Sequence, residues 1–206
     1  MIPERSVARY STGGYAVGER TRARPVGDGP LDSPVGASSL HVLRFLAAAL
    51  RARAVVEIGT GSGESARWLL RGMLPEGVLT SIDADPANQR IARAALREEG
   101  IAPTRTRLIT GCAVEMLPRF TEGGYDLVSV GVASTDYPAY LELGARLLRP
   151  GGVIVFAGVQ LGGDPDDSSG ALTAAIRDLV KAVQDDEGLI PVTLPTGPGL
   201  LAVAKG

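Results

Sequence analysis

Between residues 57 and 66 the chain reads Glu57-Ile58-Gly59-Thr60-Gly61-Ser62-Gly63-Glu64-Ser65-Ala66. Three alternating glycines follow a short apolar run and precede a helical pattern. Without Cβ atoms such a loop turns tightly and lets a ligand approach the backbone. The helix beyond it offers unpaired N–H groups to a carboxylate or a phosphate. About 20 residues past Gly63, a second apolar run, Val78–Ile82, delivers Asp83 at its end. A carboxylate in that place can accept both ribose hydroxyls of an adenosine. The two features together point to an adenosine-bearing ligand. The dinucleotide fingerprint G-x-G-x-x-G/A fits Gly61, Gly63 and Ala66 only by ignoring Gly59, where the turn begins; counted from Gly59, the sixth position is Glu64. Asp83 is shared by dinucleotide and S-adenosylmethionine sites and does not decide between them.

Other residues able to do chemistry are few. His41 is the sole histidine and Cys112 the sole cysteine, which excludes a His-x-x-x-His metal site, a cysteine-based zinc site and a disulfide within the chain. Asp136 and Tyr137, with Ser134 and Tyr140, lie together after the fourth apolar run. As general-base candidates they compete with plainer roles: Asp136 as a helix cap, Tyr137 and Tyr140 as packing residues. His41 lies on an apolar helix, where it either packs or serves as a base for an acceptor. Asp164, Asp166 and Asp167 read as a solvated loop or as a contact for a cationic acceptor. Asp85, directly before Pro86, reads as a helix cap.

The elements that must position these residues alternate regularly. Ser38–Leu50 is predicted helical. Strands are predicted over Ala54–Ile58, Val78–Ile82, Thr106–Thr110, Tyr125–Val130 and Val153–Ala157, and helices between them over Glu64–Met73, Pro86–Glu99, Ala113–Phe120 and Pro138–Leu148. A long helix over Ser169–Gln184 and two strands, Ile190–Leu194 and Leu200–Ala204, complete the chain. The alternation implies an α/β fold with a Rossmann-like, seven-stranded, mostly parallel sheet and helices on both faces. The last two strands are joined only by a turn, so they form a C-terminal antiparallel hairpin.

With 206 residues the chain has the size of one domain. Residues 1–35, rich in Gly, Pro and Arg, read as a flexible N-terminal arm that carries Tyr10 and Tyr15; residues 36–206 form the domain. The balance of 21 basic against 23 acidic residues argues against a general nucleic-acid binder. No apolar run is long enough for a membrane span, and no secretory core opens the chain, so a cytoplasmic location is expected.

The motif Glu57-Ile58-Gly59-Thr60-Gly61-Ser62-Gly63 resembles the first motif of class I S-adenosylmethionine-dependent methyltransferases, and Ser81-Ile82-Asp83-Ala84-Asp85-Pro86 resembles the second. Tyr125-Asp126-Leu127-Val128, Tyr137-Pro138-Ala139-Tyr140-Leu141-Glu142 and Leu147-Leu148-Arg149-Pro150-Gly151-Gly152-Val153 continue the likeness. From about Ser38 to Lys205 the chain resembles the small O-methyltransferases related to catechol and caffeoyl-CoA O-methyltransferases. The resemblance implies S-adenosylmethionine as cofactor and S-adenosylhomocysteine as product. It implies that Glu57, Gly59, Thr60, Gly61 and Gly63 border the methionine part, that Ser65 binds its carboxylate and Asp83 the ribose, and that Cys112 and Ala113 lie against adenine. Cys112 has the alternative of a buried small hydrophobe.

Many members of that family hold a divalent cation with a carboxylate after the fourth strand and an Asp-Asn pair after the fifth. Here Gly131 and Ala133 stand at the acidic positions, Ser134 at the usual lysine, and Ala157-Gly158 at the Asp-Asn pair. No metal site is therefore expected. The first reading is methyl transfer to a small-molecule acceptor without metal, by a homodimer. The alternatives are an S-adenosylmethionine-binding protein that has lost catalysis and, with no Tyr-x-x-x-Lys pair to support it, an NAD-dependent oxidoreductase.

Overall fold

The computed structural model describes residues 37–159, 170–196 and 198–206. The arm expected over residues 1–35 and the loop carrying Asp164, Asp166 and Asp167 lie outside the described residues. The elements run α1 (Ala37–Ala49), β1 (Ala54–Ile58), α2 (Glu64–Gly72), β2 (Val78–Asp83), α3 (Pro86–Glu98), β3 (Thr106–Thr110), α4 (Ala113–Met116), β4 (Tyr125–Val130), α5 (Tyr137–Leu147), β5 (Leu148–Ala157), α6 (Ala171–Asp185), β6 (Leu189–Leu194) and β7 (Leu200–Lys205). Short 3₁₀ turns stand at Pro103–Arg105 and Leu117–Arg119.

The seven strands form one sheet in the order β3-β2-β1-β4-β5-β7-β6. β1 to β5 pair in parallel; β7 is antiparallel to both β5 and β6. The reversed last strand and the C-terminal antiparallel hairpin expected from the sequence are thus present. Alternation along the strands divides the core. Val55, Leu79, Leu127, Val153 and Val155 face α1 and α2 with Leu96 of α3; Val56, Ile82, Val128, Ile154 and Phe156 face α4, α5 and α6. Both faces of the central strands are buried, which is why they read as continuous apolar runs.

Three boundaries differ from expectation. Pro150-Gly151-Gly152 does not separate helix from strand: β5 begins at Leu148, opposite Tyr125, and passes through an irregular register before Val153. Proline and two glycines stop the helix, but the chain stays extended because it keeps a strand to pair with. α4 ends at Met116, where Pro118 leads the chain into a 3₁₀ turn. α6 starts at Ala171 and ends at Asp185.

Candidate functional site

The parallel strands deliver their C-terminal ends to one edge of the sheet, the edge where open α/β sheets take their ligands. One residue before that edge the apolar rows give way to a polar one. Glu57 of β1 lies opposite Ser81 of β2 and Ser129 of β4, all three buried. Glu57 is 0 % exposed and is the sole fully buried carboxylate among the described residues. Ser65 Oγ donates to its Oε1 and Ser81 Oγ donates to its Oε2, the latter at 2.6 Å. Burial pushes the Glu57 carboxyl up to about 7; the Ser65 and Ser81 bonds pull against that, and the nearby Asp83 charge adds to it. Glu57 is thus buried at the end of β1, bonded to Ser65 of the first turn of α2.

The loop itself is shaped from both sides. Gly59 has φ +91°, and its N–H donates to Ile82 O at 2.8 Å, extending the parallel ladder. A Cβ added there would run into Val132 Cγ1. Gly63, φ +81°, lies against Ala92 of α3, where a Cβ would again collide. A Cβ at Gly61 would face open space. Gly61 N–H donates to Asp83 Oδ2 at 3.0 Å. Thr60, expected to border a ligand, turns its hydroxyl inward and leaves its backbone in the loop. Its Oγ1 lies 2.6 Å from Ser81 Oγ and accepts from Gln89 Nε2 at 2.9 Å.

Asp83 ends β2 with its carboxylate held by three donors: Gly61 N–H, Asp85 N–H at 2.9 Å, and Asn88 Nδ2 at 3.2 Å from each oxygen. A carboxylate has about four lone-pair directions, and these contacts fall two on each oxygen, so a ribose hydroxyl would have to displace the long, shared Asn88 contact. Asp85 caps α3, accepting from Ala87 N–H at 2.7 Å. Cys112 is exposed, contrary to the alternative of a buried hydrophobe, and precedes the buried Ala113 at the start of α4. Sequence reasoning missed Ser81, Asn88 and Gln89. The signal was present for Ser81, a polar residue inside an apolar strand. For Gln89 it was not: the amide is buried only because α3 packs on β2 and β3, where it donates to Ile109 O at 2.9 Å.

The other half of the edge is built differently. Gly131 N–H donates to Ile58 O at 2.8 Å, and Gly158 N–H to Gly199 O at 2.9 Å. Asp136 occupies the cap position of α5, but its side chain caps nothing there; Ser134 Oγ accepts from Asp136 N–H at 3.0 Å instead. Tyr137 is 1 % exposed, stands edge-on to Phe156 at 5.7 Å, and donates its hydroxyl to Val132 O at 2.9 Å. Burial pushes the phenols of Tyr137 and Tyr140 up, so both stay protonated at neutral pH. Tyr137 thus holds the β4–α5 loop. His41 packs edge-on against Trp68 of α2 at 4.5 Å and takes part in the α1–α2 contact.

A family model described as O-methyltransferase matches residues 30–205. This chain belongs to the O-methyltransferase family. It is 46% identical over 188 residues to a protein of Mycolicibacterium vanbaalenii that carries an O-methyltransferase name, covering 90% of this chain and 81% of that one. Among solved structures, cofactor-bound Rv0187 from MTB is 32% identical, with a TM-score of 0.76 over 83% of this chain and 81% of its own. The O-methyltransferase TomG from Streptomyces achromogenes, involved in tomaymycin synthesis and solved in complex with SAM, is 29% identical, with a TM-score of 0.76 over the same shares. As a member of its family, this O-methyltransferase is S-adenosylmethionine-dependent. Its residues fit that group: open space at Gly61, the Asp83 carboxylate at the end of β2, and the unpaired N–H groups of the first turn of α2.

Proposed function

We propose that this O-methyltransferase methylates a small-molecule acceptor without a divalent metal. The observation that carries the reading is the set of residues at the ends of β4 and β5: Gly131, Val132, Ala133, Ala157 and Gly158, none with a side-chain oxygen. Magnesium dehydrates reluctantly and usually needs one or two carboxylates, which this edge does not offer in those places. When bound, S-adenosylmethionine supplies a methyl group on a sulfonium for in-line displacement by the acceptor oxygen. Asp83 would take the ribose hydroxyls, the first turn of α2 with Ser65 the methionine carboxylate, and Cys112 and Ala113 the adenine. The β4 and β5 ends would hold the acceptor by shape and backbone hydrogen bonds. Alignment of that kind supplies much of the acceleration for such a displacement. Asp136 and His41 remain the candidates for taking the acceptor's proton.

The test compares turnover of an accepted substrate with EDTA and with added magnesium. The expected result is equal rates; a rate that collapses with EDTA and returns with magnesium overturns the reading. The same reading places the protein in the cytoplasm as a homodimer, with the apolar α1 as part of the contact. No helix among the described residues is long and apolar enough to cross a membrane. Light scattering at micromolar concentration is expected to give twice the chain mass, and the mass of a single chain would count against the dimer.

A further inference from the structure

At the end of the sheet away from β6, β3 has no strand on its outer side. The C-terminal half of α3 stands beside it, and a cleft of about 80 Å³ opens between the two. Leu96 of α3, Ile101 of the α3–β3 connection and Leu108 of β3 make an apolar floor, with Pro103 and Thr106 at its border. Arg93 and Arg97, both exposed, line the same cleft one helical turn apart. The cleft lies at the N-terminal end of β3, whereas Asp83, Cys112 and the glycine loop lie at the C-terminal ends of the parallel strands. It is separate from the cofactor site.

The arginines of this region fall into two groups. Arg67 and Arg71 of α2 share the carboxylate of Glu99, the acid that closes α3. Arg105 donates to the carbonyls of Gly77 and Leu74 at 3.2 and 2.9 Å. Arg93 and Arg97 belong to none of the ion pairs among the described residues. Like charges four residues apart on a helix destabilise it. Arg97 gains from the C-terminal end of the helix dipole, but Arg93 stands a turn too early for that. The chain as a whole carries a net charge of -2, so this positive spot is local. An anion between the two guanidinium groups removes their repulsion.

We propose that the cleft between α3 and β3 binds a small carboxylic acid anion with a short apolar stem. Guanidinium groups take a carboxylate through paired, parallel N–H···O bonds. The stem lies on Leu96, Ile101 and Leu108 and removes apolar surface from water. Size limits the ligand, since a drug-sized molecule needs a pocket of roughly 300–1,000 Å³. Inorganic phosphate meets the arginines equally well but leaves the floor wet, so it is the poorer fit. The site does not depend on the metal-free reading of methyl transfer.

Titration of the whole, isotope-labelled protein with butyrate, followed by NMR, tests this. S-adenosylhomocysteine is present throughout and keeps the probe out of the cofactor site. The expected result is saturable movement of the Leu96, Ile101, Thr106 and Leu108 amide signals. Acetate, with its shorter stem, should bind more weakly, by roughly threefold for each methylene that leaves the floor. Arg93→Ala and Arg97→Ala should each weaken butyrate binding by roughly 3–10-fold. Arg93→Lys should recover only part of the loss, because lysine keeps the charge without the fork. Both arginines are exposed, and unchanged thermal unfolding checks that the variants keep the fold. No saturable movement at the four residues overturns the proposal. So does phosphate binding as tightly as butyrate, or undiminished butyrate affinity when both arginines are replaced by alanine.

Discussion

The edge formed by β1 and β2 and the edge formed by β4 and β5 lie side by side in one sheet but are made of different material. At β1 and β2, side chains hold one another: Asp83 takes three donors, Glu57 takes two, and Gln89 ties Thr60 to β3. At β4 and β5, the strand-end residues Gly131, Val132, Ala133, Ala157 and Gly158 carry no side-chain oxygen or nitrogen, and backbone bonds with the Tyr137 hydroxyl set the shape. A change in the first half strands a buried polar partner, which costs about 1–3 kcal/mol each time. In the second half the Tyr137 hydroxyl on Val132 O is the side-chain bond at stake. On the proposed reading, the half with the denser side-chain network would hold the methyl donor and the other half the acceptor.

The two halves meet where Val132 lies on Gly59, so the largest effect is expected there. Gly59→Ala forces an alanine into left-handed backbone and against Val132 Cγ1. The loss should be roughly 2–6 kcal/mol of stability by denaturant unfolding. Adding Val132→Ala should restore the part due to the contact; strict additivity would show that the halves are not joined at this point.

Next in size is the pH dependence of stability carried by Glu57. Its folded value of about 7 stands above the ordinary 4.5. Between those values the folded chain binds a proton that the unfolded chain has released. The contribution is complete below the lower value and is lost as pH rises through the upper one, on the order of 3 kcal/mol in all. Urea titrations of wild type and Glu57→Gln across that range should diverge steadily. A constant difference would mean that Glu57 titrates normally. The smallest expected effect is Asp83→Ala, which should weaken S-adenosylmethionine binding by roughly 10–100-fold, about 1.5–3 kcal/mol. Equal calorimetric affinities would move the adenosine away from β2.

Much of this was legible in the residues. Alternation and glycine spacing located the strands, the loop, Asp83 and the Asp85 cap, because each rests on local geometry. The start of β5 at Leu148 was not legible: Pro150-Gly151-Gly152 has the composition of a stop, and only pairing with Tyr125 keeps it extended. The inward turn of Thr60 depends on Gln89, far along the chain, so no local pattern reveals it. Asp136 does not cap α5; its carboxylate accepts from Ser134 Oγ at 3.3 Å instead.

The placing of β7 between β5 and β6 has a bearing on how the chain folds. β6 is made before β7 but touches no strand of the sheet except through it. Hairpins close in roughly 1–10 μs, well before long-range pairings. β6 and β7 therefore zip together first and dock on β5 as a unit, and docking waits until β7 has been synthesised. Until then, β5 is an open edge with unpaired backbone N–H and C=O groups, the kind of edge on which chains pair and aggregate.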